Sequence, residues 1–202
     1  MKVSGQYDIN FGAKFISKAN IKEYDTGKRK YKDSPASFVE LDPRNKNDVN
    51  SVSDAVYYWN NDLYGSNIAY NLKWLSNNAQ SNTFEKIYAI TTQDKEFGQL
   101  NPDKIEALAQ VFETNKRVRL VYLQVNPELV YSYDTPEYKH VGKSMIDNLK
   151  DIYHDRSIIL NPSSSAKRFY EKQGFEHCDD GENHMIWNKE AEQDYKYKDE
   201  YW

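Results

Sequence analysis

The second half of the chain constrains the fold more than any other feature. Residues 118–125 (Val-Arg-Leu-Val-Tyr-Leu-Gln-Val) form an apolar, β-branched run that stops at Asn126-Pro127 and reads as a strand. Downstream, Val141, Met145, Leu149 and Ile152 step by 4, 4 and 3 residues, the period of one helical face. The short apolar stretch 157–160 reads as a buried strand closed by Asn161-Pro162. Ser163-Ser164-Ser165 then reads as the cap of a helix carrying Ala166, Phe169 and Tyr170, with Gly174 as its stop. Residues 175–178 and 184–187 pair as a hairpin across Asp179-Asp180-Gly181. Strand, helix, strand, helix, hairpin is the back half of an α/β domain, in which a helix N-terminus faces the end of a strand.

The first half is less regular. Residues 1–36 hold Gly5, Gly12, Gly27 and Pro35, with Lys28-Arg29-Lys30 beside a turn at Asp25-Thr26-Gly27, and read as an N-terminal extension with a hairpin. Residues 37–41 alternate as a short strand that stops at Asp42-Pro43. Val52, Val56, Trp59 and Leu63 share a helical face closed by Gly65, and Ile68, Leu72 and Leu75 start a second helix. Residues 84–92 are a strand candidate. Residues 104–113 fit two patterns: Asn101-Pro102-Asp103 resembles a helix start with Ile105, Leu108, Ala109 and Phe112 on one face, while Ile105, Ala107, Ala109 and Val111 alternate as in a strand. Local pattern alone favours the helix. Trp59, Trp74 and Trp187 are assigned to the core, and the charged, aromatic residues 189–202 to a loosely docked tail.

At 202 residues the chain can bury about 70% of its unfolded surface, so no covalent or metal staple is needed. The lone Cys178 excludes a disulfide framework and reads as a buried small hydrophobe, and the four histidines lack metal-ligand spacing. A net charge of −4 opposes nucleic-acid binding by bulk electrostatics. Without an apolar leader or a run near ~20 apolar residues, the expectation is a cytoplasmic protein with no membrane partner.

The chemistry concentrates where the 141–152 helix begins. In Lys139-His140-Val141-Gly142-Lys143-Ser144, Gly142 allows close backbone approach, successive amides point outward, and Lys139 and Lys143 add charge, which suits a diphosphate.

These residues resemble the GNAT superfamily of acyl-CoA-dependent N-acyltransferases. Lys139-x-x-Gly142-x-Ser144 occupies the positions of the family's [Gln/Arg]-x-x-Gly-x-[Gly/Ala] motif. Residues 166–175, Ala-Lys-Arg-Phe-Tyr-Glu-Lys-Gln-Gly-Phe, are similar to its A-x-x-x-Tyr-x-x-x-Gly-Phe segment. The resemblance covers residues 37–188 and implies a GNAT-like α/β (α+β) fold: a mixed, mostly antiparallel central sheet flanked by helices, preceded by the 1–36 extension and followed by the 189–202 tail. It turns the 104–113 segment into a strand paired with 118–125. It departs from the family at Lys139, Ser144 and Ser163, the last standing where an Asn is often found seven residues before the helix tyrosine.

The resemblance further implies acetyl-CoA as cosubstrate, with its pantetheine on the backbone of Leu123 and Val125. Its diphosphate would lie on Lys139, His140, Val141, Gly142, Lys143 and Ser144, with Ser163 nearby. Tyr170 would be the general acid for attack by an unidentified amine of a small molecule or protein. Glu106, Glu128 and Asp134 are within reach as proton acceptors, and the pattern singles out none. No metal and no nucleic acid are expected; a homodimer is the assembly that the aromatic chain ends would support. The rival reading is a catalytically silent GNAT-like module that binds acyl-CoA or another protein.

Overall fold

The computed structural model describes residues 12–60, 63–78, 84–94, 97–131, 134–178 and 183–188. In chain order the elements are β1 (Lys14–Asp25), β2 (Lys30–Glu40), α1 (Lys46–Tyr58), α2 (Leu63–Asn77), β3 (Glu85–Thr91), β4 (Ile105–Glu113), β5 (Arg117–Val125), α3 (Pro127–Tyr131), β6 (Tyr138–Lys139), α4 (Val141–Ile152), β7 (Ser157–Leu160), α5 (Lys167–Lys172), β8 (Glu176–His177) and β9 (Met185–Trp187). The strands form one sheet, ordered β6-β1-β2-β3-β4-β5-β7-β9-β8. Among these neighbours only β5 and β7 run parallel, because α4 carries the chain back between them. This is a mixed, mostly antiparallel sheet with helices on both faces.

Each face of the sheet carries its own apolar layer. On one, Val52 and Val56 of α1 and Ile68 and Leu72 of α2 pack on Ile87, Ala89 and Leu108. On the other, Val141, Met145 and Leu149 of α4 pack on Phe38, Tyr88 and Ala109, each large side chain contributing about 1.5–3 kcal/mol. β4 lies between the two layers, and every residue from Ile105 to Val111 is buried. That double burial explains why its sequence lacks a clean two-residue period and passes locally for a helix. A bulge at Glu106, where Ile90 pairs with Ala107 but Thr91 with Ile105, turns Ile105 to the α1/α2 face, away from Ala107 and Ala109.

Several expectations need correction. Gly65 does not end a helix: α1 stops at Tyr58, Asn60 takes φ 56, and Gly65 lies inside α2, where a Cβ would meet Val56 Cγ2 at 3.4 Å. Leu63 accordingly begins α2 and does not close α1. Trp74 is 45% exposed, because it lies off the Ile68–Leu72–Leu75 stripe, whereas Trp59 is buried. Cys178 is half-buried and its amide donates to His184 O at 3.0 Å. Residues 37–40 of the expected 37–41 strand are the end of the longer β2, which starts at Lys30, and Leu41 lies just past it. β1 and β2 form a hairpin whose turn includes Asp25-Thr26-Gly27; Asp25 Oδ1 accepts the Lys28 amide, and Lys28-Arg29-Lys30 is exposed. Residues 1–11, the Asp179-Asp180-Gly181 turn and the 189–202 tail lie outside the described residues. No helix among the described residues is long and apolar enough to cross a membrane.

Candidate active site

The ladder between β4 and β5 holds an irregularity. Gln110 lies opposite Tyr122 and Val111 opposite Leu120, so Val121 is an extra residue on β5. Such a bulge bends the strand and raises its twist. The burial phase changes with it: Val118 and Leu120 face the α4 layer before the bulge, Leu123 and Val125 after it. β7 pairs with β5 only from Arg117–Ser157 to Leu120–Leu160. Pro162, which has no amide hydrogen, stands where β7 would continue. From Val121 onward the β5 edge therefore faces a groove. Asn126 N–H donates to Glu106 O on the β4 side at 2.9 Å, and alternation along the strand turns the backbone groups of Leu123 and Val125 toward the groove. There Gln124 Nε2 donates to the Val125 carbonyl at 2.7 Å.

Tyr170 of α5 lines this groove together with Tyr64, Tyr122, Asn161 and Ser163. Its side chain is almost fully buried, with the ring edge-on to Phe169 and Phe175 at centroid distances of 5.0 and 5.6 Å. Burial, with a smaller contribution from the Tyr64 phenol, holds its proton well above the ordinary phenol range, so Tyr170 is a proton donor at neutral pH. Gly174, at φ 74, ends α5 and brings Phe175 under Tyr170, whose carbonyl accepts the Phe175 amide at 3.1 Å.

α4 begins at the far end of β5. Its N-cap, His140, takes φ 65 and ψ 13 and supplies no side-chain cap. Ser144 N–H donates to His140 O at 2.8 Å, the first helical bond. The amides of Val141, Gly142 and Lys143 precede that bond and have no acceptor within the helix, which makes this end a receptor for an anion. Gly142 itself faces inward: a Cβ there would stand 3.2 Å from Val125 Cγ2 and 3.4 Å from Phe169 Cζ. Its missing side chain lets α4 close onto both β5 and α5, so the helix N-terminus is held against the strand whose edge forms the groove.

The residues singled out from sequence thus take distinct places. Val141 is buried in the core, so only its amide remains for a ligand. Ser144 is also buried; its amide is inside the helical ladder and its carbonyl accepts Asn148 Nδ2 at 2.8 Å, so the expected contact with a phosphate falls to the amides before it. Lys139 and His140 are exposed, and Lys143 pairs with Asp147 one turn on. Ser163 is half-buried in the groove wall, with Oγ 3.2 Å from Ser165 Oγ. The serines do not cap α5, whose N-cap position is Ala166 with no side-chain bond. Among the carboxylates, Glu128 and Asp134 are exposed. Glu106 is buried, which pushes it up to about 7 against the opposing hydrogen bond from Thr92 Oγ1 at 3.1 Å. None of the three lines the groove.

The groove also contains residues that no sequence motif marks. Tyr64 of α2 meets Tyr122 of β5 with ring centroids 5.9 Å apart, and both line the groove. With 17 tyrosines in the chain, nothing local distinguishes these two.

No protein-family model matches the chain, and no curated protein does. Among solved structures it is similar to the PaiA N-acetyltransferase of Thermoplasma acidophilum in complex with coenzyme A, at 15% identity over 75% of this chain and 96% of that one, TM-score 0.46. It is similar at the same identity to the ribosomal-protein-S18-alanine N-acetyltransferase of Escherichia coli, over 75% and 90% of the two chains, TM-score 0.45. The Bacillus subtilis N-acetyltransferase YlbP in complex with coenzyme A matches at 20% identity over 59% and 79%, TM-score 0.39. Among the described residues the chain itself shows a mixed, mostly antiparallel nine-stranded sheet. Within this sheet, the bulged strand, its parallel neighbour and the helix joining them are β5, β7 and α4, and β1 and β6 extend the sheet beyond β2.

Proposed function

We propose that the protein is an N-acetyltransferase that moves the acetyl group of acetyl-CoA to a primary amine of a small molecule or protein. The observation that carries this reading is an open β5 edge beyond a bulge, facing a groove with a buried protonated tyrosine in its wall, together with an uncapped helix N-terminus packed against the same strand. Pantetheine is an extended chain of amides and would add to the β5 edge as a strand does, through Leu123 and Val125. The diphosphate would take the amides of Gly142 and Lys143, with the charges of Lys139 and Lys143 beside it. Ser163, on the wall with Tyr170, would donate to the coenzyme.

With donor and acceptor held in this way, the amine nitrogen attacks the thioester carbonyl and a C–N bond forms. Collapse of the tetrahedral intermediate breaks the C–S bond, and the departing thiolate takes the Tyr170 proton. The proton lost by the amine passes to water, from which Tyr170 is reprotonated.

Calorimetric titration of acetyl-CoA and CoA into the wild type and into Lys143→Glu tests the reading. Lys143 is exposed, so the reversed charge meets the phosphates without entering the core. Micromolar binding by the wild type, weakened at least about ten-fold in the variant, is the expected result. Thiol release with a panel of amines would then identify the acceptor. A wild-type protein that binds neither compound would overturn the proposal.

A further inference from the structure

Residues 136–139 lead into His140 and the α4 N-terminus, and the β1–β2 hairpin holds them. β6 pairs with β1 through Lys22–Lys139 and Glu23–Tyr138. Tyr24 N–H donates to Glu137 O, and Tyr31 Oη donates to Pro136 O, both at 2.8 Å. The same Tyr31 ring lies 4.2 Å from Lys139 Nζ, within cation–π range. Tyr24, directly opposite Tyr31 in the hairpin, braces that ring at a centroid distance of 5.2 Å.

This arrangement bears on the site in two ways. A non-glycine residue in the left-handed region, as His140 is, persists where its surroundings over-determine it; the hairpin supplies that constraint on one side and α4 on the other. The cross-strand pair Lys22–Lys139 also sets two cations side by side, normally an unfavourable arrangement. Lys22 is neutralised by Asp33 at 2.8 Å, whereas Lys139 rests on a ring face, which orients the ammonium without cancelling its charge.

We propose that the β1–β2 hairpin is a working part of the coenzyme site, with Tyr31 as a positioning residue. By holding Pro136 and Lys139, Tyr31 sets the turn at His140 so that the first amides of α4 and the Lys139 ammonium converge on the diphosphate of CoA. The inference rests on the coenzyme reading above and adds to it Tyr24 and Tyr31, which precede the segment that carries the family resemblance.

A double-mutant cycle tests it, with CoA as the calorimetric probe and melting temperature as the control. Tyr31→Phe, which loses only the bond to Pro136, is expected to raise the CoA Kd about three-fold. Tyr31→Ala and Lys139→Gln are each expected to raise it about ten-fold. The double variant Tyr31→Ala/Lys139→Gln should stay within about two-fold of Tyr31→Ala, because Lys139 is no longer held in place once Tyr31 is gone. A purely structural role would lower the melting temperature and leave the two costs multiplicative. Penalties that multiply, or an affinity in Tyr31→Ala within two-fold of wild type, would overturn the inference while leaving the coenzyme reading intact. Should Tyr31→Ala fail to fold, unchanged affinity in both Tyr31→Phe and Lys139→Gln would refute it equally. A wild type that does not bind CoA would remove both proposals together.

Discussion

Gly142→Ala measures how tightly α4 is seated on the groove. Position 142 has ordinary helical φ, so alanine meets no backbone strain, and helix propensity alone favours it by up to about 1 kcal/mol, less this close to the N-terminus. The new methyl would stand 3.2 Å from Val125 Cγ2 and 3.4 Å from Phe169 Cζ, so at least Val125 must yield by a few tenths of an ångström. Overpacking of this kind costs about 1–3 kcal/mol. The balance is a net destabilisation of about 0–3 kcal/mol, or a melting temperature lowered by up to roughly 12 °C for a domain of this size. Urea and thermal melts would read it, with Gly142→Ala repeated in a Val125→Ala background. Removing Cγ2 opens the space the methyl needs, so the penalty should shrink or change sign there. Stabilisation by about 1 kcal/mol in the wild-type background would refute the close contact between α4 and β5.

Other consequences are equally direct. Tyr170→Phe keeps the ring against Phe169 and Phe175 but removes the proton; under the proposed mechanism kcat should fall by about 10²-fold or more with CoA affinity retained, and an unchanged kcat would remove Tyr170 from the chemistry. Asp48 is fully buried, its Oδ1 has no hydrogen-bond partner among the described residues, and burial raises it from 3.8 to about 6. The protonated form is therefore favoured on folding. Its contribution is complete below the unfolded value and is lost as pH rises through about 6, a swing of up to about 3 kcal/mol. Asp48→Asn should flatten urea-derived stability between pH 4 and 7; a pH profile identical to the wild type would contradict this assignment. His140→Gly relieves a left-handed backbone worth about 1–2 kcal/mol but loosens the unfolded chain by about 0.5–1 kcal/mol, so denaturation should show a change between zero and about 1.5 kcal/mol of stabilisation. A clear loss of stability would mean that the imidazole holds the turn.

Elements whose burial has a simple period can be read directly from the residues. The α4 stripe, the short β7, the stop at Gly174 and the closing hairpin all stand where the spacing puts them, because a half-buried helix or a capped end depends on neighbours only a few residues away. The Lys139–Ser144 segment lies at a helix start for the same reason, although the pattern could not tell that Ser144 spends its amide inside the helix or that Gly142 faces Val125. β4 is the opposite case: with both faces covered its residues lose alternation, and pairing with β3 and β5 makes a strand of a segment whose local pattern suits a helix.

The bulge at Val121 shows in sequence only as the unbroken apolar run Leu120-Val121-Tyr122-Leu123, and it takes the β4 register to show which residue is extra. Tyr64 beside Tyr122, and Tyr31 beneath Lys139, join residues far apart in the chain. Short-range periodicity determined most of the helices and strands, β4 excepted, and where an anion receptor could form. Long-range strand pairing decided where the sheet opens, which phenols enter the groove and what braces the turn, since those depend on backbone hydrogen bonds that no single segment can satisfy by itself.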